Sequence, residues 1–243
     1  MGLGSSFGIT AETGNNIQTD GLVFYIDAAY KKSYPRTGTV ITDLTNNISG
    51  DFINEPTFYS DGFISFDGSN DHLKFSSFNP DCWGTTFWTV EVWFRTDSTI
   101  NDGSYGCLFG NGNPFQMYQV SNDKIQTFLV NGGFFVNAQT NNTAALDDVW
   151  NHYCMTRTDD GLGNSNSSTY VHYLNGAADG TFTSNSSVCR TSDEQGLHMG
   201  NVWSTNTNFC YGGDIGSARI YDRSLTASEI LQNYNAQKER FGF

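Results

Sequence analysis

The stretch FISFDGSNDHLKF, residues 63–75, places three oxygen-bearing side chains close together between two apolar runs. They belong to Asp67, Asn70 and Asp71. Carboxylate and amide oxygens are the ligands that calcium prefers. An EF-hand loop starting at Asp67 would also need Gly at its sixth position and Glu at its twelfth, but this sequence has His and Phe there. The stretch is therefore not an EF-hand, although another kind of calcium site remains open.

The same residues also suit a tight turn between two strands. The pair Asp67-Gly68 favours positive φ, and the side chains of Asn70 and Asp71 can bond their own backbone. A fold-defining turn is the first interpretation of this stretch. A metal site formed by Asp67, Asn70 and Asp71 is the second.

A second group of chemically useful residues lies on the run FWTVEVWFRT, residues 87–96. Its alternation predicts a half-buried strand on which Glu91, Trp93 and Arg95 share one face. Sugar C–H faces stack on aromatic rings, and sugar hydroxyls pair with carboxylate and guanidinium groups. These three residues are candidate glycan contacts, as is Trp203 in a predicted loop. A core or loop-packing role is the alternative for each.

The elements that would position these residues are mostly strands. From residue 20 onward, short apolar or alternating runs are separated by Gly, Asn and Asp, which predicts a β-sandwich or a barrel. The run SLTASEILQNYNAQKER differs, because Thr226 and Glu229 form a capping box. The apolar face that follows consists of Ile230, Leu231 and Tyr234. This run predicts one short helix over about residues 226–240.

The first 19 residues differ in character from the rest of the chain. Residues 1–19 are rich in Gly, Ser, Thr and Asn, which is typical of a flexible N-terminal arm. Such an arm is held either by the domain's own surface or by a neighbouring subunit. The sequence therefore leaves open whether the chain forms a homo-oligomer.

Composition narrows the classes of partner. The formal net charge of −13 repels phosphate backbones, so we expect no nucleic-acid binding, and it favours divalent cations. No apolar run reaches about 18 residues, so we expect no membrane span.

Aromatic residues make up 15% of the chain and can fill a large core. None of the five cysteines lies in a C-x-x-C pair, so we expect no zinc site.

Several landmarks occur in a characteristic order over about residues 20–243. They are GLVFYIDA, ISFDGSNDHLKF, TVEVWF, WNHYCMTR, YVHYLNG, LHMGN and GDIGSARIYDRSLTASEILQNYNAQKERFG. In this order the chain resembles the LamG-like jelly-roll group of the concanavalin A-like lectin/glucanase superfamily. The resemblance implies an all-β, jelly-roll β-sandwich of two antiparallel sheets with one short C-terminal helix, forming a single domain over residues 20–243.

The resemblance also bears on catalysis and on calcium. Glucanases of this superfamily place two carboxylates along one strand in an E-x-D-x-x-E pattern, so that both face one sugar bond. The corresponding run TVEVWFRT has Glu91 but no second carboxylate, so we expect no enzymatic activity. A LamG-type calcium site would use loops at the sandwich rim. Rim candidates are Asp97, Asp102, Asp159, Asp160 and Asp214.

Two end stretches resemble LamG-like proteins of tailed bacteriophages. They are TDGLVFYIDAAYKKSYP and NYNAQKERFGF. This resemblance implies a non-enzymatic structural or adhesion protein of the virion, as a capsid decoration, an appendage or a fibre. It would bind host surface glycans, and its N-terminal arm and C-terminal tail would contact other virion subunits.

Two other functions stay open. The first alternative is a free-standing carbohydrate-binding lectin, and whether it uses Ca²⁺ as a cofactor stays open. The second alternative is a glycan-cleaving enzyme, which would require a pair of carboxylates facing one cleft.

Overall fold

Two eight-stranded antiparallel sheets pack against each other in the computed structural model of the chain. The structure describes residues 16–78, 88–97, 105–112, 115–120, 122–131, 134–142, 148–159, 168–184, 196–201 and 207–243. This arrangement confirms the predicted jelly-roll sandwich of two antiparallel sheets with a short C-terminal helix.

We call the sheet that contains both the first and the last strand the terminal sheet. Its strands are β1 Leu22–Asp27, β4 Thr57–Tyr59, β5 Phe63–Asp67, β7 Trp88–Thr96, β12 Trp150–Asp159, β13 Ser168–Leu174, β14 Ala177–Ser184 and β16 Gly212–Tyr221. Their order is β14-β13-β12-β7-β16-β5-β4, and β1 also pairs with β16.

We call the other sheet the opposite sheet. Its strands are β2 Val40–Thr42, β3 Ser49–Ile53, β6 His72–Phe75, β8 Gly106–Gly110, β9 Phe115–Gln119, β10 Ile125–Asn131, β11 Phe134–Gln139 and β15 Leu197–Met199. Their order is β11-β10-β9-β8-β15-β6-β3-β2.

The main core lies between the sheets, and β7 is central to it. Val90, Val92 and Phe94 face the core and are fully buried, as are Leu73 and Met117 of the opposite sheet. The sequence predicts that β7 is half-buried, because its other face is more polar. The structure shows that this second face is buried as well over most of its length, because the C-terminal helix covers it.

The C-terminal helix, α1 Ala227–Gln237, begins with the predicted capping box. Thr226 Oγ1 accepts the N–H of Glu229 at 3.3 Å, and Glu229 Oε2 accepts the N–H of Thr226 at 2.8 Å. A 3₁₀ turn, Lys238–Phe241, follows the helix directly. In the described part of the chain, no helix combines the length and the apolar character that crossing a membrane requires.

The buried face of α1 differs from the predicted one. Its buried residues are Ile230, Asn233, Ala236 and Gln237. Leu231, which the sequence assigned to the apolar face, is 46% exposed. The sequence pattern misses this because two of the four buried side chains are amides that bind polar partners on the sheet.

Those partners form a buried ion pair on the outer face of the terminal sheet. Glu91 and Arg219 are paired across β7 and β16, and Arg219 Nη1 donates to Glu91 Oε2 at 3.0 Å. Asn233 Nδ2 donates to both Glu91 oxygens, at 3.1 and 2.9 Å, and Arg219 Nη2 donates to Gln237 Oε1. The helix therefore supplies further hydrogen bonds to charges that it also shields from water, although Arg219 Nε stays buried without a partner among the described residues.

A second polar contact joins the first strand to the C-terminal helix and the turn that follows it. Asp27 is 1% exposed and lies in β1. Its carboxylate accepts Gln237 Nε2 at 2.9 Å and Arg240 Nη1 at 2.7 Å. Tyr25 also donates its hydroxyl to Asp27, at 3.1 Å. Because β1 pairs with β16, this contact ties the first strand, the last strand and the helix together.

The described end of the predicted arm lies against the same helix. Gln18 N donates to Asn233 Oδ1 at 2.7 Å, and Gln232 Nε2 donates to the carbonyl of Asn16 at 2.7 Å. These bonds show the domain's own surface holding residues 16–18. Residues 1–15 of the predicted arm lie outside the described residues.

The buried ion pair leads to a stability prediction. Arg219→Met leaves the Glu91 carboxylate buried without its cation, so we expect the free energy of unfolding to fall by about 3–5 kcal/mol. Urea denaturation measures this change. The double variant Glu91→Leu with Arg219→Met removes both charges and should be more stable than Arg219→Met alone. The single variants Glu91→Leu and Arg219→Met each lower the free energy of unfolding by some amount. A double variant whose loss equals the sum of these two amounts would contradict this account.

Candidate functional site

The predicted glycan face of β7 is mostly covered in the structure. Trp93 is 1% exposed, and its ring stacks on Phe241 with a centroid distance of 4.2 Å and on Tyr234 at 5.6 Å. Glu91 is also 1% exposed and lies beneath α1. A ligand outside the protein reaches neither side chain. The structure therefore corrects the placement of Glu91 and Trp93, because strand alternation shows which residues share a face and not which distant element covers it.

Arg95 lies where this face emerges from beneath the C-terminal turn. Its side chain is 30% exposed, and its Nε and Nη2 atoms donate to Asp214 Oδ2 at 2.8 and 2.6 Å. The guanidinium carbon lies 5.2 Å from the ring centroids of both Phe63 and Trp150. Asp214 and Arg95 are direct partners in the β16–β7 register, so strand pairing fixes this ion pair.

The ion pair lines a pocket at the end of the terminal sheet, which we call the Arg95 pocket. The cavity has a volume of about 220 Å³. Its lining residues are Tyr59, Phe63, Ser65, Arg95, Thr96, Asp97, Asp148, Gly213 and Asp214. Tyr59 is 49% exposed and stacks on Phe63, with centroids 4.9 Å apart and ring planes inclined by 15°. The pocket thus offers a partly exposed aromatic ring next to an ion pair.

Backbone contacts hold the edge of the pocket in place. Asp97 N donates to the carbonyl of Gly212 at 3.1 Å, and Asp148 N donates to the carbonyl of Thr96 at 2.9 Å. Gly213 has a φ of +145°, and a Cβ atom there would lie 2.4 Å from the carbonyl oxygen of Arg95. Glycine is therefore required for β16 to pass this close to β7.

The chemistry available in the pocket suits recognition of hydroxyl groups. Within the described residues, Arg95 Nη1 and Asp214 Oδ1 take part in none of the hydrogen bonds of the ion pair, which uses Nε, Nη2 and Oδ2. A sugar hydroxyl is both a donor and an acceptor, so a neighbouring donor and acceptor can bind it together. The ring of Tyr59 adds a surface on which a sugar ring can stack.

The carboxylates of the pocket are less suited to glycoside cleavage. A glycosidase needs one carboxyl group that holds a proton for the leaving oxygen, usually in an apolar environment. Asp214 instead accepts two hydrogen bonds from Arg95. Asp97 and Asp148 are exposed at the edge of the pocket. Among the described residues that line the pocket, the one shielded carboxylate, Asp214, is therefore already paired with Arg95.

The stretch that contains Asp67 forms a tight turn, as its first interpretation predicts. Asp67 Oδ1 accepts the backbone N–H groups of Ser69, Asn70 and Asp71 at 2.8, 3.2 and 3.4 Å. Burial acts to raise the pKa of Asp67, but these backbone bonds outweigh it and hold the pKa below its ordinary value. This carboxylate is therefore used by the backbone of its own turn.

Asp71 stands in a different environment on the same turn. It is 6% exposed, and its Oδ2 accepts the N–H of Asp67 at 3.2 Å. Burial, followed by the negative charge of Asp67, raises the pKa of Asp71 to about 6. Within the described residues, no group of three or more His, Cys, Asp or Glu side chains is arranged to hold a metal ion. Calcium binding by Asp67, Asn70 and Asp71 stays a prediction.

The remaining sequence candidates fall in different places. Asp97 and Asp214 line the Arg95 pocket. Asp159 is the last residue of β12. Asp102, Asp160 and Trp203 lie outside the described residues.

Sequence reasoning missed several residues of the pocket. Tyr59 lies on a three-residue edge strand, and Asp148 lies two residues before the start of β12. Neither stands in a motif, and the pocket joins segments that are far apart in the chain. The sequence signals for this pocket are the polar end of β7, where Arg95 is a candidate contact, and the rim candidates Asp97 and Asp214.

Comparison with known proteins identifies the fold family. Residues 67–231 match the family model described as the concanavalin A-like lectin/glucanases superfamily. No curated protein sequence matches the chain.

Solved structures share the fold at low sequence identity. Trypanosoma rangeli sialidase in complex with sialic acid is 14% identical, with a TM-score of 0.64, over 97% of this chain and 36% of the sialidase. The receptor binding domain of botulinum neurotoxin type G is 12% identical, with a TM-score of 0.62, over 90% of this chain and 52% of that chain. The chain thus spans about a third of the first protein and half of the second, and the likeness shows the fold alone.

The raised pKa of Asp71 leads to a prediction on pH and stability. The folded state binds the Asp71 proton more tightly than the unfolded state, whose ordinary pKa is 3.8, so this group lowers stability as the pH rises from about 4 through 6. Asp71→Asn mimics the neutral form. We expect it to raise the free energy of unfolding by about 1 kcal/mol at pH 7.5 and to have little effect at pH 4. Urea denaturation at both pH values measures this difference.

Asp61→Asn is the matched control for this experiment. Asp61 is an exposed aspartate, so its substitution should change stability little at either pH. An Asp71→Asn variant that behaves like this control at pH 7.5 would show that the turn does not disfavour the charged form.

Proposed function

The chain belongs to the concanavalin A-like lectin/glucanase superfamily, and we propose that it binds carbohydrate through the Arg95 pocket without cleaving it. One observation carries this proposal. The Arg95–Asp214 ion pair lies beside two aromatic rings, with the half-exposed ring of Tyr59 next to it. Aromatic stacking surfaces and a few fixed polar groups are the two parts that a small sugar site requires.

The aromatic residues would supply the stacking surface. Tyr59 is held nearly parallel to Phe63, so its ring has a defined orientation before any ligand arrives. A rigid ring loses little conformational entropy on binding, which favours affinity. The ion pair is equally fixed, because it joins residues that are paired across two strands.

The absence of cleavage is part of the proposal. Glu91 lies on the strand that corresponds to the catalytic strand of the glucanases, and it accepts hydrogen bonds from Arg219 and Asn233 beneath the helix. In the pocket itself, Asp214 serves as an acceptor for Arg95. These contacts support a binding protein over a glycosidase.

We place this binding domain on a bacteriophage particle, as a capsid decoration, an appendage or a fibre that contacts host surface glycans. The support is the resemblance of the two end stretches to LamG-like phage proteins. In the structure these stretches meet, since Asp27 binds Gln237 and Arg240. The N-terminal arm and the C-terminal tail would contact other virion subunits. The alternative is a free-standing lectin, calcium-dependent or not, with the same pocket.

The fold neighbours support a ligand-binding role. One is a sialidase in complex with sialic acid, and another is the receptor binding domain of a neurotoxin. Both names describe recognition of another molecule.

A glycan array tests the proposed site. We expect the wild-type chain to bind a subset of glycans and Tyr59→Ala to weaken that binding about tenfold, because the stacking surface is lost. Tyr105→Ala is the matched control, since Tyr105 is a 36% exposed tyrosine that precedes a strand of the opposite sheet. Equal binding by both variants would remove the Arg95 pocket as the site.

The same array, run with and without a chelator, separates the calcium-dependent lectin from the calcium-independent one. Loss of binding on chelation would assign the cofactor. Incubation of the bound glycan followed by mass measurement tests cleavage, and a shortened glycan would overturn the non-enzymatic assignment.

Mass spectrometry of purified particles tests the virion assignment. We expect peptides of this chain at a constant ratio to the major capsid protein across a density gradient. Their absence from intact particles, with the free chain recovered in the lysate, would favour the free-standing lectin.

A further inference from the structure

We infer that the C-terminal turn, Lys238–Phe241, positions the Arg95 pocket through two side chains that do not line it, Arg240 and Phe241. Arg240 holds the backbone turn that presents Tyr59, and Phe241 supports the tryptophan that packs on Arg95. The inference rests on the proposed function, because it names what prepares that site to bind a glycan.

Arg240 joins the C-terminal turn to two other segments of the chain. Its Nη1 atom donates to both carboxylate oxygens of Asp27, at 2.7 and 2.9 Å, and its Nη2 atom donates to the carbonyl of Gly62 at 2.5 Å. The guanidinium group is planar and holds its N–H groups in a fixed fork, so the ion pair with Asp27 determines where Nη2 points. Arg240 therefore fixes the carbonyl of Gly62 relative to the first strand.

Gly62 closes the turn that presents Tyr59 to the pocket. The turn connects β4 to β5, and Gly62 N donates to the carbonyl of Tyr59 at 2.9 Å. Gly62 has a φ of +90°, and a Cβ atom there would lie 2.6 Å from the Cβ atom of Ala29. Glycine is needed for this close approach to the segment after β1. Because Tyr59 ends a three-residue strand at the edge of the sheet, this turn is a main restraint on the position of its ring.

Phe241 acts on the charged part of the pocket through Trp150. Phe241 is 6% exposed, and its ring centroid lies 4.6 Å from that of Trp150. Trp150 is the partner of Arg95 in the β12–β7 register, and the Arg95 guanidinium contacts the rings of Trp150 and Phe63. Rings that pack against a guanidinium group restrict its rotation. Phe241 therefore limits how far Trp150, and with it Arg95, can move.

The ionic and the aromatic contact belong to one structural unit. The guanidinium carbon of Arg240 lies 4.6 Å from the ring centroid of Phe241, so the two side chains also contact each other. The turn follows α1 directly, and Phe241 stacks on Trp93 beneath it. A site whose parts are fixed before binding loses less conformational entropy when its ligand arrives. Disturbing this turn should therefore weaken glycan binding without removing any contact to the glycan.

Two conservative variants test the effect on binding. Arg240→Lys keeps a cation beside Asp27 but loses the fixed fork, so it releases the carbonyl of Gly62. Phe241→Leu keeps an apolar side chain but removes the ring that packs on Trp150. The probe is the array glycan that the wild-type chain binds most strongly, used in solution in a titration. We expect each variant to raise its dissociation constant about fivefold.

NMR of the glycan-free chain tests the positioning itself. In Arg240→Lys, the amide of Gly62 should exchange faster with solvent, because the turn that it closes has lost an anchor. In Phe241→Leu, ¹⁵N relaxation of the Arg95 Nε–H group should report greater mobility. Both readouts are local, and neither requires a glycan.

Each variant has a matched control from the same region of the chain. Arg223→Lys is the first, since Arg223 also joins a carboxylate, that of Glu229, to a backbone carbonyl, that of Asp20. Phe243→Leu is the second, since the ring of Phe243 packs near Trp93. Both controls should leave the dissociation constant, the Gly62 exchange rate and the Arg95 mobility at their wild-type values. Thermal unfolding shows that every variant is folded.

The outcomes separate this inference from the proposed function. Binding that Tyr59→Ala weakens, and that Arg240→Lys and Phe241→Leu leave as their controls do, overturns the role of the turn and leaves carbohydrate binding at the pocket intact. Weaker binding without a local change at Gly62 or Arg95 also overturns it, because a merely structural loss would have that effect. If the wild-type chain binds no glycan at all, the proposed function fails and the inference fails with it.

Discussion

The buried ion pair between Glu91 and Arg219 is the constraint on which the rest of the structure depends. Two charges that are 1% exposed need further hydrogen bonds, and the helix supplies them through Asn233 and Gln237. Such a pair contributes little net stability by itself, but breaking it is costly, so it can specify one arrangement over others. Here it fixes where α1 lies on the terminal sheet. The open end of that face, at Arg95, follows from the same placement.

The sequence predicts some parts of this structure well, for physical reasons. Alternation along β7 follows from the two-residue period of a strand, and the Thr226–Glu229 capping box marks a helix start through local bonds. The Asp67 turn is similarly local, since the carboxylate bonds the next residues of its own backbone. Each signal lies within a few residues, where the sequence alone determines the geometry.

Other parts depend on contacts between distant segments. Whether Trp93 stacks on a sugar or on Phe241 depends on an element almost 150 residues later, and nothing near Trp93 indicates its presence. The Arg95 pocket joins Tyr59, Asp148 and Asp214 from three separate strands or loops. A charged residue at the end of an alternating strand was the most that local pattern could provide. On the outer face of β7, the aromatic and charged residues resemble a binding surface in the sequence. Most of them are internal in the structure, because the C-terminal helix and the turn after it cover that face.

The first and the last described residues of the chain lie on the same side of the domain. Asn16 is bonded to Gln232 on the helix, and the ring of Phe243 lies 5.9 Å from that of Trp93 beneath it. Asn16, the first described residue, and Phe243 therefore both lie on the helix side of the terminal sheet. The opposite sheet, on the far side of the main core, therefore faces away from both of these residues.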